Sequence, residues 1–275
     1  MKRYVSRFLG AILVVGFLAG SVAGAVLPAI KQRNVLYMAF ANESPWSYID
    51  PDGNLAGIDT EMVKECAKRL QLPEVLGVQN AFDGLIPGLV ARRYDIVAAG
   101  LSWRQKRVDV AGATDPIYAI SISPMVPKGN PKNIKTANDI VNSSLKVGAI
   151  QGSAEYLLAQ DKIKSRAEGY QEQSQLMADL LAGRIDVALN PDAIEIDYMA
   201  KNPNAPVEVL PIRWVYGRGV WYVNKDGDDL RLALNQCIKE MKADGTMEKS
   251  FTKYRFPATA VLPDGTPPAE LQPGF

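Results

Sequence analysis

Two stretches of polar and aromatic side chains follow strand-like apolar runs and could bind a small charged solute. In the first stretch, Glu43 and Trp46 offer a cation a negative partner and a π face. In the second, Arg107 could form a bidentate pair with a carboxylate, helped by the Ser102 hydroxyl and by close backbone approach at Gly100. Together these groups indicate a site for a zwitterion. The alternative is that Trp46 only caps a sheet and Arg107 forms an ordinary surface ion pair.

Further candidate residues stand in equivalent positions along the chain. Phe82 opens a helical pattern and could be either a wall of a cleft or a core anchor. Gly152 and Ser153 follow a strand and open a helix, where backbone N–H groups can hold an anion, although Ser153 could simply be an N-cap. Asn190 and Asp192 follow another strand and could supply a partner for a positive group.

The composition excludes several functional classes. The chain has 275 residues and no histidine, so it lacks Ser-His-Asp and Cys-His catalytic groups and HExxH zinc sites. A net charge of +1 predicts no nucleic-acid partner. There is no GxGxxG, P-loop or GxSxG motif, and residues 50–54 read as a turn rather than a calcium loop. We therefore expect neither a cofactor nor a metal.

A weak internal duplication divides the chain. Residues 85–97 align with residues 176–188 at a constant offset of 91, and each copy reads as a helix, a short turn and a buried strand. The identical pairs are Leu85/Leu176, Leu89/Leu180, Ala91/Ala182, Arg93/Arg184 and Asp95/Asp186. The duplication favours two similar α/β units, unless it is a chance likeness between ordinary βα units.

Strands alternating with helices predict an α/β fold with two largely parallel sheets, one in each lobe. The turn chemistry places the boundaries at 30–121 plus 219–256 for lobe one, 122–218 for lobe two, and 257–275 for a proline-rich, solvated tail. Two crossings between lobes predict a hinge and a cleft. Because ligands bind beyond the carboxyl ends of parallel strands, the polar stretches above should line that cleft.

The first residues of the chain have the pattern of a signal peptide. Three basic residues within the first seven precede an apolar run over 8–22, and small residues at 23–25 predict cleavage after Ala25. The protein should therefore be periplasmic. The alternative is an uncleaved membrane anchor, since the uncharged run over 8–30 is long enough to cross a bilayer.

The two cysteines, Cys66 and Cys237, both stand at apolar positions of helical patterns. Buried free thiols are the simpler interpretation. In an oxidising compartment a disulfide is the alternative, which the sequence leaves open because it does not place the two Cβ atoms.

Seven motifs, in order along the chain, resemble the polar amino acid-binding family of extracellular solute-binding proteins. They occupy residues 45–48, 52–59, 82–87, 94–97, 107, 114–116 and 242–246. The resemblance implies a two-lobed type II periplasmic binding protein fold that closes on a small solute and delivers it to the membrane permease of an ABC importer. It also implies that Arg107 holds the ligand carboxylate, with Gly100, Ser102 and the Gly152-Ser153 turn assisting.

The chain also departs from the common family pattern. Pro191 stands where the family has an Asp for the ligand's α-amino group, and Asp192 follows one place later. Glu43, Trp46, Phe82 and Arg107 instead resemble the ectoine/hydroxyectoine-binding branch, in which aromatic rings enclose a delocalised cation. That branch has a third aromatic residue at the position of Ser102, whereas in this chain the aromatic residue is the following one, Trp103.

The resulting hypothesis is a monomeric, non-enzymatic receptor for an amino acid or an ectoine-like derivative. Arg107 would anchor the carboxylate, while Trp46 and Phe82 would form apolar walls. Two alternatives remain open. One is a dehydratase-type enzyme on the same fold, with Glu43 as its acid. The other is a membrane-tethered sensor domain.

Overall fold

The computed structural model describes residues 26–270, apart from 73, 164–165 and 214, together with 272–273. The predicted signal segment and its cleavage site lie outside the described residues. Within them, the strands form two large sheets flanked by helices, as the alternation of strands and helices predicts. No helix in this part of the chain is long and apolar enough to span a membrane.

The first sheet carries lobe one and has five strands among the described residues. In spatial order they are β4 (Glu74–Gln79), β1 (Val35–Phe40), β5 (Ile96–Val97), β13 (Tyr222–Asn224) and β6 (Ala111–Ala113). β1 is parallel to β4 and β5, whereas β13 is antiparallel to β5 and β6. A separate antiparallel pair is formed by β2 (Tyr48–Ile49) and β3 (Leu55–Ala56).

The second sheet carries lobe two and has seven strands in the described chain. Six follow the order β14 (Gln272–Pro273), β12 (Val215–Gly219), β7 (Tyr118–Pro127), β10 (Val187–Pro191), β8 (Val147–Ile150) and β9 (Ala167–Tyr170), and β11 (Val207–Val209) also pairs with β7. β8 is parallel to both neighbours, but β7 is antiparallel to β10, β11 and β12, and β12 is antiparallel to β14, so this sheet is mixed and the expectation of a largely parallel sheet is wrong for lobe two. Val187 and Leu189 of β10 pack into one apolar cluster and Ala188 into another, so both faces of this sheet are covered.

Helices flank both sheets. Those of lobe one are α1 (Val26–Arg33), α2 (Ile58–Arg69), α3 (Leu85–Val90), α4 (Gln105–Val108), α9 (Asp228–Ala243) and α10 (Thr246–Lys253). Those of lobe two are α5 (Ala137–Val141), α6 (Ala154–Ile163), α7 (Gln173–Leu181) and α8 (Asp192–Lys201). Apolar periodicity explains why these segments form helices that flank the sheets. In α9, for example, the buried residues recur every three or four positions and form one apolar face: Leu230, Leu234, Cys237, Ile238 and Met241.

Two adjacent chain segments connect the lobes. The outward segment runs from β6 through residues 114–117 into β7, and the return segment joins β12 to β13. They are hydrogen-bonded to each other, with Thr114 N donating to Trp221 O at 2.9 Å and Trp221 N donating to Thr114 Oγ1 at 3.0 Å. Because Tyr118 already pairs with Gly219 of β12, residues 118–121, which the sequence assigned to lobe one, lie in the second sheet.

The duplicated segments have matching structures. α3 with β5 and α7 with β10 are the predicted helix–turn–strand copies. Arg92 and Gly183, which correspond at the offset of 91, both have left-handed backbone, with φ of 56° and 67°. The paired aspartates also act alike: Asp95 accepts a hydrogen bond from Tyr37 N at 2.8 Å, and Asp186 accepts one from Lys146 N at 2.9 Å. The helix–turn–strand prediction is therefore confirmed in both copies.

A disulfide joins Cys66 of α2 to Cys237 of α9, and their Cα atoms are 5.7 Å apart. Both residues are buried where the two helices pack together. The interpretation of the cysteines as free thiols is therefore wrong. The apolar periodicity put each cysteine on a buried face, but only the packing of helices 171 residues apart brings the sulfurs together.

The segment after residue 256 is mostly exposed, yet it is attached at several points. Leu262 N donates to Ile117 O at 3.0 Å, beside the hinge, and Glu270 accepts a hydrogen bond from Gln105 N at 2.7 Å. Arg218 of β12 donates to Pro267 O. The segment thus runs along both lobes.

Candidate functional site

The loops that follow four strands meet in one cavity between the lobes. β1 and β5 end at it from lobe one, and β8 and β10 from lobe two, as expected for carboxyl ends of parallel strands. It is lined by Glu43, Trp46, Phe82, Gly100, Ser102, Arg107, Ile120, Ile150, Ser153, Ala154, Glu155, Leu189, Asn190, Pro191 and Ile194. The space left between these residues is about 20 Å³, close to the room of one water molecule, so a larger solute enters only when the lobes separate.

Trp46 forms the floor of the cavity on lobe one. It is buried, and its ring stacks on Tyr118 with centroids 4.8 Å apart and planes 15° from parallel. Its indole Nε1 has no hydrogen-bond partner among the described residues. Gly100 lies against this ring with a φ of +69°, and a Cβ there would be 2.6 Å from Trp46 Cδ1. Glycine is therefore required at this position.

Asp59, at the start of α2, holds the cleft loop and the hinge together. Its carboxylate accepts hydrogen bonds from Gly100 N at 2.7 Å, Trp221 Nε1 at 2.9 Å and Tyr118 Oη at 3.0 Å. Burial raises the pKa of Asp59 to about 6, although these three donors favour the ionised form. The sequence analysis did not select Asp59, although it stands in the motif over 52–59.

Arg107 lies on α4 at the boundary between the lobes. Its Nη1 donates to Ser102 O at 3.0 Å, and its Nη2 reaches across to Gly152 O at 3.4 Å. Its Cζ is 5.7 Å from the centroid of the Phe82 ring. Burial lowers the pKa of Arg107 from its ordinary value, but a guanidinium stays protonated. Arg107 thus presents a positive charge to the cavity from lobe one.

The turn before α6 supplies the opposing surface of lobe two. Ser153 Oγ accepts a hydrogen bond from Tyr156 N at 3.0 Å, which caps the helix, and Ser153 also lines the cavity. Gly152 has a φ of +77°, and a Cβ there would be 2.7 Å from Cβ of Asp83 in lobe one. The close approach of the two lobes at this point therefore requires glycine.

Two carboxyl groups face the cavity, Glu43 from lobe one and Glu155 from lobe two. Burial, followed by the negative charges of Glu155 and Glu172, raises the pKa of Glu43 to about 8. Burial also raises the pKa of Glu155. Sequence reasoning missed Glu155, yet it shares a helix face with Ala159 and Ile163 at four-residue spacing, which could have indicated burial.

Some predicted residues are brought into the cavity and others are not. Phe82 both lines it and packs against the apolar cores, so both interpretations of that residue hold. Asn190 is buried, and its Oδ1 accepts from Gln173 Nε2 at 3.1 Å. Asp192 lies outside the cavity and pairs with Arg213 at 2.8 Å, because β10 ends at Pro191 and α8 turns the next side chain away.

Trp103 is a second predicted residue that does not line the cavity. Its backbone N donates to Arg218 O at 2.8 Å, and its half-buried ring packs against the core of lobe one. A neighbouring position on an extended segment points to the opposite side, so Trp103 does not replace the aromatic expected at Ser102. Gly152 does not line the cavity either but contacts Arg107.

α8 makes a further contact between the lobes. Lys201 Nζ donates to Ser44 Oγ at 2.6 Å and lies 4.8 Å from the centroid of the Tyr48 ring, both in lobe one. The same amine pairs with Asp197 of its own helix at 2.8 Å. This contact joins lobe two to lobe one, as does the close approach of Gly152 to Asp83. The described residues contain no group of three or more metal-ligating side chains.

Sequence comparison places this arrangement among known proteins. Residues 36–258 match the family of bacterial extracellular solute-binding proteins, family 3. The histidine-binding periplasmic protein of Escherichia coli K12 is 29% identical over 267 residues, which cover 92% of this chain and 97% of that protein. A probable amino-acid ABC transporter periplasmic-binding protein of Sinorhizobium fredii NGR234 is 28% identical over 271 residues, covering 91% and 87%.

Structural comparison agrees. The crystal structure of EhuB in complex with hydroxyectoine has a TM-score of 0.79 and 28% identity, and the match covers 85% of this chain and 93% of that one. The two-lobed type II periplasmic binding protein fold is confirmed. The similarity to the hydroxyectoine-binding branch is supported as well.

Proposed function

Because this chain belongs to the bacterial extracellular solute-binding proteins of family 3, we propose that it captures a small zwitterion between its lobes for an ABC importer. The observation that carries the proposal is the position of Arg107. Its guanidinium faces the cavity from lobe one and already contacts Gly152 O of lobe two. A ligand carboxylate bound there would engage both lobes and displace a weak 3.4 Å contact.

The rest of the cavity suits the positive end of the solute. Glu43 and Glu155 supply carboxyl groups that can ionise beside a bound cation, and Trp46 and Phe82 supply aromatic surface. One guanidinium with two carboxyl groups favours a zwitterion that carries an additional or a delocalised positive charge. The relatives agree with this class, since one is named for histidine and EhuB is in complex with hydroxyectoine.

Closure of the lobes would convert binding into a signal for delivery. A solute on lobe one recruits the Gly152-Ser153 turn, so it binds the closed form better and shifts the population toward that form. The partner is the membrane permease of an ABC importer, in keeping with the relative named as an amino-acid ABC transporter component. The protein would act as a periplasmic monomer after removal of its signal peptide.

Titration calorimetry against the common amino acids, ectoine and hydroxyectoine tests this function. We expect one zwitterion to bind and Arg107→Ala to weaken it about 30-fold or more, because losing one partner of a buried charge pair costs about 2 kcal/mol or more. Arg93→Ala, at an exposed arginine of the same lobe, should bind as the wild type does. If no zwitterion binds, or if Arg107→Ala binds as tightly, the proposal fails.

A second candidate is an enzyme that uses Glu43 as a general acid. The observation in its favour is that burial raises the pKa of Glu43 to about 8, which keeps this carboxyl protonated near neutral pH. The relatives named above are binding proteins, so we propose binding without turnover. Recovering the bound solute unchanged after prolonged incubation, by mass spectrometry, separates the two functions.

A further inference from the structure

A second pocket lies on lobe two, outside the cleft. It is formed between α8 and the segment that includes β11, and its volume is about 440 Å³. Met199, Val209 and Leu210 give it apolar walls, and none of its lining residues also lines the cleft. We call it the α8 pocket.

Glu195 is the unusual member of the α8 pocket. The residue is only 1% exposed, yet neither Oε1 nor Oε2 has a hydrogen-bond partner among the described residues. A buried carboxyl without partners is unfavourable, and groups of this kind are normally paired or ligate something. Its position in the wall of an open pocket indicates that its partner comes from outside the chain.

The charged groups around Glu195 indicate the charge of its partner. Asp192, one turn earlier on α8, and Arg213, beyond β11, also line the pocket and pair with each other at 2.8 Å. Among the described residues that line the pocket, the only cation is therefore already engaged, which leaves Glu195 without a counter-ion from them. One additional positive charge would neutralise the three charged residues Asp192, Glu195 and Arg213 taken together.

We propose that the α8 pocket binds a small organic cation, a primary ammonium group on a short aliphatic body, with Glu195 as its counter-ion. The ammonium group would donate hydrogen bonds to the free carboxylate oxygens. The apolar walls favour an aliphatic body over a bare inorganic ion, which would need several oxygen ligands. This site goes beyond the proposed function and does not involve the cleft.

Proton release should accompany binding. Burial, followed by the charge of Asp192, raises the pKa of Glu195 well above its ordinary value, while Arg213 opposes the shift. Of the described lining residues, β7 contributes the uncharged Ser123 alone. An ammonium group bound to the ionised carboxylate would displace the proton, so affinity should increase with pH while the amine itself remains charged.

Titration calorimetry with n-butylammonium tests the site. At pH 8 we expect binding to the wild type, with proton release revealed by buffers of different ionisation enthalpy. Glu195→Gln should weaken binding at least about tenfold, since it removes a charged hydrogen-bond acceptor. The matched variant Glu43→Gln, in the cleft, should bind n-butylammonium as the wild type does.

A further variant and two further probes test whether binding depends on the pocket and on the positive charge of the ligand. Ile196→Trp fills the pocket from its exposed rim and leaves the buried carboxyl in place, so it should also abolish binding. Butanol and butyrate, which lack the cation, should not bind. The proposal is overturned if n-butylammonium does not bind, if butanol binds as tightly, or if Glu43→Gln rather than Glu195→Gln removes binding. None of these outcomes depends on whether a zwitterion occupies the cleft.

Discussion

Asp59 in lobe one and Glu195 in lobe two are both fully buried carboxyl groups, but their surroundings are opposite. Asp59 accepts hydrogen bonds from three donors in different parts of the chain, Gly100, Trp221 and Tyr118. Glu195 accepts none from the described residues and faces a pocket. Burial raises the pKa of both groups, yet for Asp59 the donors limit the rise to about 6.

The difference separates a structural carboxyl from one that is available to a ligand. The Asp59 carboxylate already accepts hydrogen bonds that position the cleft loop and the hinge, so it is not available to bind a solute. Glu43 in the cleft resembles Glu195, since no hydrogen bond from the described residues reaches its carboxylate and burial raises its pKa to about 8. Glu43 and Glu195 therefore lie at the two cavities for which we propose ligands.

The largest expected effect is the pH dependence that Glu43 imposes on stability. Its pKa in the folded protein, about 8, exceeds its ordinary value of 4.5. The folded state therefore binds more protons than the unfolded state, and the free energy of unfolding should fall as the pH rises between these values. From pH 5 to pH 8, Glu43 accounts for a loss of about 3–4 kcal/mol.

Urea denaturation at several pH values, with and without Glu43→Gln, measures this contribution. Glu43→Gln should remove the corresponding slope, because an amide does not titrate. Glu74→Gln, at an exposed glutamate, should keep it. If the wild type and Glu43→Gln have equal slopes, Glu43 does not cause this pH dependence, and it is then not a buried carboxyl without hydrogen-bond donors.

Removing the acceptor at Asp59 should destabilise the protein by about 3 kcal/mol. Asp59→Ala leaves three buried donors without an acceptor, at a cost of roughly 1 kcal/mol or more for each. Chemical denaturation at pH 7 measures the loss, and Asp52→Ala in an exposed turn is the control. An unchanged free energy of unfolding would mean that the three donors do not depend on Asp59.

Glu195→Gln should change the free energy of unfolding least, and it should raise it rather than lower it. Because no donor loses its partner, replacing this buried acid by a neutral side chain of the same shape should stabilise the protein by about 1 kcal/mol at pH 7. The same denaturation experiment applies. Destabilisation comparable to that of Asp59→Ala would contradict the distinction between the two groups.

Much of the fold was predictable from local patterns. The helix–turn–strand duplication follows from apolar periodicity and turn residues, which act over a few positions. Eight of the predicted site residues line the cleft because parallel strands bring their carboxyl ends to one edge: Glu43, Trp46, Phe82, Gly100, Ser102, Arg107, Ser153 and Asn190. Their roles in ligand binding stay predictions.

The loops that meet at the cleft could be predicted from the sequence, whereas the side chains in them that face it depend on how the chain packs. Trp103 and Asp192 differ from their neighbours Ser102 and Pro191 only by one position, yet they point elsewhere, because side-chain direction alternates along extended backbone and changes where a helix begins. The Cys66–Cys237 bridge, the burial of Glu155 and the three donors on Asp59 likewise required distant segments to pack. Desolvation and hydrogen-bond satisfaction arise from that packing, so no local pattern encodes them.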